Sequence, residues 1–223
     1  MKSVKSSSTS ISLSMSKNSI LLFLFALLTA GILAVTYEGT KETIALAERK
    51  AAEKALFEII PAEQIDNDLL LDIVAIPKSA WPELGLKNGG DIHIARNNQK
   101  IIAVIIPTVA PDGYSGDIKM IAGVNSDGSI AGVRVLKHIE TPGLGDKVDI
   151  KKSAWIRSFE NKSLSKPTIN QWKVKKDGGD FDQFTGATIT PRAVVQQIRK
   201  VLEFAERSQL LLFDAATEIK NKQ

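Results

Sequence analysis

The sequence predicts an α+β protein, with a single N-terminal transmembrane helix followed by one domain that has a mainly antiparallel sheet and flanking helices. Three observations predict this class. An uncharged apolar run lies near the N-terminus, several short strand-like runs separated by turn residues fill the middle, and an amphipathic pattern follows them. A helix, an antiparallel meander and a C-terminal helix, in that order, are typical of α+β domains. The 223 residues suit one domain of ordinary size plus an accessory segment.

The apolar run covers residues 20–37 and contains no charged side chain. At about 1.5 Å per residue it spans roughly 27 Å as a helix, which is enough for a thin bilayer. The flanking lysines Lys2, Lys5 and Lys17 all lie on its N-terminal side, with no acidic residue among them. By the positive-inside rule the N-terminus is cytoplasmic, and everything after residue 38 lies across the membrane.

A cleaved signal peptide is the alternative interpretation of the same run. Thr29 and Gly31 supply the small residues that a cleavage site needs. The length of the apolar run favours a retained anchor, and both interpretations export the domain. Residues 1–19 are rich in serine and lack apolar periodicity, so we predict a disordered cytoplasmic tail there.

Residues 38–60 are predicted to be helical, because their apolar residues share one helix face and Pro61 ends the pattern. This helix is either a stalk or packed on the domain, and the sequence leaves both open. The domain proper is predicted over residues 61–208, with a C-terminal tail over 209–223.

Four apolar runs with turn residues between them predict the antiparallel strands. They are Asp91–Arg96, Lys100–Val109, Ile118–Val124 and Ile130–Lys137. A fifth, shorter strand is predicted at Gln171–Lys176, before the turn residues Asp177-Gly178-Gly179.

A loop with three threonines precedes the predicted C-terminal helix. Thr190 suits an N-cap, and Pro191 suits the first helical position. Thr185 and Thr188 place two more hydroxyls just ahead of the helix. Helix N-termini present free N–H groups and partial positive charge, which suit a phosphate, and Arg192 offers a countercharge. From the residues alone, a phosphate seat and a simply capped helix remain equally open.

Two further segments carry polar groups between strands. Residues 113–116, Gly-Tyr-Ser-Gly, form either a tight turn or part of a binding site. Residues 138–145, His-Ile-Glu-Thr-Pro-Gly-Leu-Gly, combine a histidine with a glutamate. A metal needs three or four converging ligands, and His93 is the only other histidine, so we predict no metal site.

Taken together, these three segments resemble one known family in the same order along the chain. Thr185-Gly186-Ala187-Thr188 is similar to the Ser/Thr-Gly-Ala-Thr flavinylation motif. That motif belongs to the FMN-binding domain shared by the G subunit of the Rnf electron-transport complex and the C subunit of the sodium-translocating NADH:quinone reductase. The resemblance implies that FMN is joined through its phosphate to the Thr188 hydroxyl by a dedicated flavin transferase. It also implies that Asp182 belongs to the signal that this transferase reads.

The same resemblance implies the other cofactor-binding residues. Thr185, Gly186 and Ala187 complete the attachment motif. Tyr114, Ser115 and Gly116 are expected at the flavin or its ribityl chain. The residues expected to wall the ring pocket are Glu140, Thr141, Gly143 and Leu144. No residue is assigned a catalytic role, because another enzyme performs the attachment.

By resemblance, the chain is an electron-transfer subunit of a membrane-bound, ion-translocating oxidoreductase in a bacterial inner membrane, with a periplasmic main domain. The implied partners are the other subunits, the flavin transferase and the lipid bilayer. The chain has no cysteine, so any redox chemistry comes from an organic cofactor. Its nearly neutral body argues against nucleic-acid binding. The alternative function is a membrane-anchored sensory or scaffold module that binds FMN noncovalently or not at all.

Overall fold

The computed structural model describes residues 5–220, and describes side chains over residues 15–208. The chain divides into two units, residues 1–50 and residues 51–223. The first helix, α1, runs from Lys5 to Ile59, and the second helix, α2, from Ile189 to Lys220. The α+β class predicted from the sequence is confirmed.

The first unit is helical and contributes the apolar segment. Over the described residues, α1 is the one helix that is long and apolar enough to cross a membrane. Its apolar side chains are exposed, as a lipid-facing helix requires; Leu21 is 69% and Leu33 is 70% exposed. The hydroxyls of Thr29 and Thr36 donate to the carbonyls of Phe25 and Ile32, at 3.0 and 2.8 Å. These hydroxyls therefore need no water, which supports a single membrane anchor.

Helix α1 begins earlier than the sequence predicts. Residues 5–19 are helical, where the serine-rich composition predicts disorder, and residues 1–4 lie outside the described part. The side chains of residues 15–19 are exposed, so no described packing holds this end of the helix. The disordered tail, its boundary at residue 19 and the cytoplasmic N-terminus remain predictions. Helix α2 likewise continues past residue 208, and the C-terminal tail over 209–223 remains a prediction.

The second unit is built on a five-stranded antiparallel meander whose strands lie side by side in chain order. The strands are β1 (Ile73–Ala75), β2 (Asp91–Asn97), β3 (Lys100–Ala110), β4 (Ile118–Asn125) and β5 (Ile130–Lys137). The four long strands are confirmed to within one residue at their ends. The β2–β3 turn holds Asn98 and Gln99 at positive φ, 50° and 66°. Such a turn matches the twist of the paired strands.

One predicted strand is absent, and one short strand was not predicted. Residues 171–176 are not a strand. Short 3-10 helices occupy Ile169–Gln171 and Lys175–Asp177, and only Val174 forms a bridge, with Phe181. The alternation arises because irregular turns bury both Trp172 and Val174 completely. Strand β1 was missed because three residues are too few to show a period.

Helices cover both faces of the sheet. On one face, α2 packs over strand residues such as Val104 and Ile106, together with a group of aromatic side chains. On the other face, the last turns of α1 pack over residues such as Ala103 and Ile105. Neighbouring residues of β3 thus point into opposite cores. The C-terminal end of the predicted 38–60 helix is therefore packed rather than free, with Ala55, Leu56, Ile59 and Ile60 buried.

Ile59 holds the end of α1 against the sheet through two glycines. Gly123 and Gly132 face each other across β4 and β5. A Cβ on Gly123 would lie only 2.4 Å from Cγ2 of Ile59. The helix can therefore approach the sheet this closely only because position 123 has no side chain.

Ile59→Ala is expected to lower the free energy of unfolding of the second unit by about 2–5 kcal/mol, because it leaves a cavity between helix and sheet. Denaturant unfolding of the full chain in detergent measures this. Leu71→Ala is the matched control, since Leu71 belongs to the same unit and is 78% exposed; it should change stability by about 0.5 kcal/mol or less. Equal effects of the two substitutions would contradict the role of Ile59.

Candidate functional site

The threonine loop and the start of α2 form the base of the candidate site. Helix α2 begins at Ile189, so Thr188, and not Thr190 as predicted, holds the N-cap position. The Arg192 N–H donates to the Thr188 carbonyl at 3.2 Å, which is the first bond of the helix. Pro191 still lies in the first turn, where a missing N–H costs nothing.

Thr190 has a different role from the capping role predicted for it. Its side chain is completely buried, and its hydroxyl donates a short hydrogen bond to Oε2 of Glu140. The other carboxylate oxygen, Oε1, accepts from the Ser115 N–H at 2.9 Å. Glu140, only 4% exposed, thus joins the 113–116 turn, its own loop and the start of α2. The hydroxyl serves tertiary structure because a buried carboxylate must be paired.

Two glycines allow these segments to approach Glu140. A Cβ on Gly145 would lie 2.7 Å from Oε2 of Glu140 and 2.8 Å from the Thr190 hydroxyl oxygen. A Cβ on Gly113 would lie 2.2 Å from the Gly116 carbonyl oxygen and 3.0 Å from Oε1 of Glu140. Side chains at either position would push the carboxylate away from its partners.

Above this buried cluster lies a cavity of about 360 Å³. This volume falls in the ordinary range of small-molecule pockets. The lining residues are Tyr114, Glu140, Thr141, Leu144, Gly145, Gly186, Ala187, Thr188, Ile189 and Thr190. The mouth carries apolar side chains, because Tyr114, Leu144 and Ile189 remain 69%, 41% and 45% exposed.

Several hydrogen-bonding groups at the cavity are free. Within residues 15–208, neither the Thr188 hydroxyl nor the N–H groups of Ile189 and Thr190 have a hydrogen-bond partner. Free N–H groups at a helix N-terminus suit an anion. The cavity therefore combines an apolar mouth, an anion-favouring end and a half-buried hydroxyl with no partner.

Arg192 does not supply the free countercharge that the sequence suggested. Its guanidinium binds Asp177 with two hydrogen bonds, from Nε at 2.7 Å and from one terminal nitrogen at 2.9 Å. These hydrogen bonds lower the pKa of Asp177 and raise that of Arg192. The pair instead fastens the 175–177 turn to the first turn of α2.

Asp182 lies outside the cavity, on the exposed approach to the threonine loop. Its carboxylate binds the Lys175 ammonium at 2.7 Å, and this hydrogen bond raises the pKa of Lys175. Its carbonyl accepts the indole N–H of Trp155 at 2.8 Å. The residue is thus fixed at both its backbone and its side chain while it remains accessible.

The predicted site residues fall into two groups. Seven line the cavity: Tyr114, Glu140, Thr141, Leu144, Gly186, Ala187 and Thr188. Five lie beside it: Ser115, Gly116, Gly143, Thr185 and Asp182. The Leu144 N–H is already bonded to the Thr141 carbonyl at 3.1 Å, so only the leucine side chain faces the cavity freely.

Three lining residues were not among those predicted from the sequence: Gly145, Ile189 and Thr190. Gly145 belongs to the 138–145 segment that the sequence singled out. Thr190 was assigned to a cap because its partner, Glu140, lies fifty positions away in the chain. No local signal connects the two residues.

Comparison with known proteins agrees with this geometry. Residues 113–203, which include the turn, the ring-pocket loop and the start of α2, match the model of the FMN-binding domain family. The site therefore belongs to an FMN-binding protein. Residues 1–59 match the model of the RnfG N-terminal region.

Relatives cover nearly the whole chain. It is 46% identical over 197 residues to the G subunit of the ion-translocating oxidoreductase complex of Vibrio vulnificus, covering 87% of this chain and 92% of that protein. The corresponding protein of Pseudoalteromonas atlantica is 40% identical, with 92% and 95% covered. That of Pseudomonas aeruginosa is 46% identical, with 89% and 92% covered. The chain belongs to the family of G subunits of the ion-translocating oxidoreductase complex, and the family resemblance found in the sequence is confirmed.

Proposed function

We propose that this chain is an electron-transfer subunit that carries FMN covalently, through a phosphoester bond to the Thr188 hydroxyl. The contrast between two threonines carries this proposal. Thr188 is half-buried at the helix N-terminus and its hydroxyl has no partner among the described residues, whereas Thr190 is completely buried and its hydroxyl is bonded to Glu140. Of these two threonines, Thr188 is the one with an accessible hydroxyl at the helix N-terminus, beside free N–H groups that favour a phosphate.

The cavity offers suitable partners for the phosphate and for the ring of FMN. The phosphate would lie against the N–H groups of Ile189 and Thr190, which have no other partner. The ring would lie between the apolar side chains of Tyr114 and Leu144, with Thr141 at its edge. Gly186, at φ 80°, would let the ligand approach the backbone closely. Glu140, whose two oxygens are already engaged, would hold the walls together rather than bind the flavin.

Attachment needs an activated flavin, because a hydroxyl and a free phosphate do not condense in water. We propose a flavin dinucleotide as the donor and a dedicated flavin transferase as the catalyst. The Thr188 oxygen attacks the FMN phosphorus and forms the new P–O bond, while the pyrophosphate bond breaks and the nucleoside monophosphate leaves. The hydroxyl proton passes to a base of the transferase. In this proposal Asp182, exposed six residues before Thr188, belongs to the surface that the transferase recognises.

The bound flavin supplies one- and two-electron chemistry, while the protein provides attachment, orientation and exclusion of water. A periplasmic location of the domain, residues 61–208, gives covalent attachment a purpose, since a dissociated FMN would be diluted outside the cell. Tyr114 and Leu144 are exposed at the mouth, so one edge of the cavity is open, and in this proposal electrons pass through that edge to a neighbouring subunit.

Intact-mass spectrometry of the complex purified from its native host tests the proposal. The expected result is a subunit heavier by one FMN less one water, with the addition mapped by peptide fragmentation to Thr188. An unmodified Thr188 in fully assembled complexes would overturn the proposal. Noncovalent FMN, or none, would then favour the sensory or scaffold alternative.

A further inference from the structure

Residues 182–188, which we name the acceptor loop, are fixed by a side chain from a distant part of the chain. We infer that Trp155 is a positioning residue for flavin attachment, because it holds the acceptor loop in the conformation that the transferase must engage. This inference rests on the proposed attachment of FMN at Thr188.

Trp155 is itself held rigidly. It lies in a 3-10 helix, Ala154–Phe159, whose N-cap Ser153 accepts the Trp155 backbone N–H at 3.1 Å. Its ring packs edge-on against Phe159, with centroids 5.4 Å apart and an interplanar angle of 88°. The indole therefore has one preferred orientation before it meets the loop.

From this position Trp155 contacts two points of the acceptor loop. Its indole N–H donates to the Asp182 carbonyl at 2.8 Å, and its ring packs against Phe184 at 5.0 Å with an angle of 72°. Between these points, the Gln183 side chain accepts the Lys176 N–H at 3.1 Å. Each of the first three residues of the loop, Asp182, Gln183 and Phe184, therefore has a contact outside the loop.

The second half of the loop is tied to the first. The Ala187 N–H donates to the Phe184 carbonyl at 3.1 Å, which closes a tight turn through Gly186 at φ 80°. Thr188 then begins α2. Trp155 contacts both Asp182 and Phe184, whereas Lys175 and Lys176 each bond to one residue of the loop. Trp155 therefore links the placement of Asp182 to the turn that leads to Thr188.

This arrangement matters for a reaction performed by another enzyme. The transferase must recognise Asp182 and bring the Thr188 oxygen to its own reacting phosphorus. A loop already in the bound conformation avoids the ordering cost of association. Small misplacements of a reacting atom also slow chemistry strongly. Loss of the indole hydrogen bond should therefore impair attachment without abolishing the fold.

The test compares Trp155→Phe with Trp172→Phe in the full chain in detergent. Both variants keep an aromatic ring and lose one indole hydrogen bond. Trp172 belongs to the same aromatic cluster and is completely buried, but its N–H donates to the Ser163 carbonyl at 3.1 Å, away from the acceptor loop. Purified transferase and flavin dinucleotide supply the reaction, and in-gel fluorescence follows it over a range of acceptor concentrations.

We expect Trp155→Phe to lower kcat/KM for attachment by about three- to tenfold, the effect of one lost hydrogen bond. Part of this loss should be a raised KM for the acceptor protein. Trp172→Phe should leave both kinetic constants unchanged even though it destabilises the domain at least as much, as denaturant unfolding of each variant will show. Hydrogen exchange of the 182–188 amides should rise in Trp155→Phe alone.

Two outcomes separate this inference from the proposed function. If the wild-type chain is modified at Thr188 but Trp155→Phe reacts at the wild-type rate, or no more slowly than Trp172→Phe, the role of Trp155 is overturned and the proposed function stands. If the wild-type chain takes no flavin at Thr188 from an active transferase, both fail together.

Discussion

Thr188→Val is expected to abolish covalent attachment of FMN, reducing the fluorescent fraction to background. Valine keeps the branched shape of threonine and removes only the hydroxyl oxygen that forms the ester. Because that hydroxyl has no partner among the described residues, its loss should leave the fold intact. Coexpression with an active flavin transferase, followed by a denaturing gel viewed under ultraviolet light and by intact-mass spectrometry, measures the result.

The control variants are selected by the exposure and the hydrogen bonds of their hydroxyl groups in the structure. Ser79→Ala removes an exposed hydroxyl from the same unit, outside the acceptor loop and the cavity, and should retain full fluorescence. Thr188→Ser restores an acceptor oxygen and should restore at least part of the label. Thr190→Val is unsuitable as a matched control, because its buried hydroxyl bonds to Glu140 and its loss disturbs the site itself. A fluorescent Thr188→Val protein would place the flavin on another side chain.

Much of the sheet could be predicted from the sequence, because apolar runs and turn residues are recognised from neighbouring positions along the chain. β3 alternates between two buried faces, and the turns before and after it carry residues suited to positive φ, such as Asn98 and Gly116. The turn residues and the run rich in Ile and Val agree there, so the strand ends are predicted to within a residue.

The site was only partly predictable, and the reason is physical. The acceptor loop is recognisable by its small residues and hydroxyls beside a proline-started helix. The role of Thr190 is not, because it depends on a carboxylate brought close by tertiary folding. A hydroxyl near a helix start either caps the helix or serves a distant partner, and propensity favours the cap. Trp155 was not assigned to the site for the same reason, since its partner Asp182 lies far along the chain.

Glu140→Ala is expected to have the largest effect on stability within the site, lowering the free energy of unfolding by about 3 kcal/mol. The substitution leaves the buried Thr190 hydroxyl and the Ser115 N–H without their acceptor, at about 1–3 kcal/mol each. Denaturant unfolding measures the loss. Glu63→Ala, at an exposed glutamate of the same unit, is the control and should change stability by about 0.5 kcal/mol or less.

The same substitution should also impair the cavity. Glu140 joins three segments that carry lining residues, so without it the 113–116 turn and the start of α2 are no longer held together. We expect flavin attachment by purified transferase to slow at temperatures where the variant remains folded. Unchanged stability and unchanged attachment would show that the carboxylate holds nothing in place.

Glu140→Gln separates the loss of the negative charge from the loss of the two hydrogen bonds that the carboxylate accepts from Thr190 and Ser115. A glutamine keeps one carbonyl oxygen for the Ser115 N–H and presents its amide N–H to Thr190, whose hydroxyl can turn and accept. The expected loss is therefore smaller, about 1 kcal/mol. A double-mutant cycle with Thr190→Val then isolates the pair, and a coupling of about 0.5–3 kcal/mol is expected for groups in direct contact. If the two changes in the free energy of unfolding simply add, the Thr190 hydroxyl and Glu140 act independently. The stabilising role of Glu140 would then come from its bond to the Ser115 N–H alone.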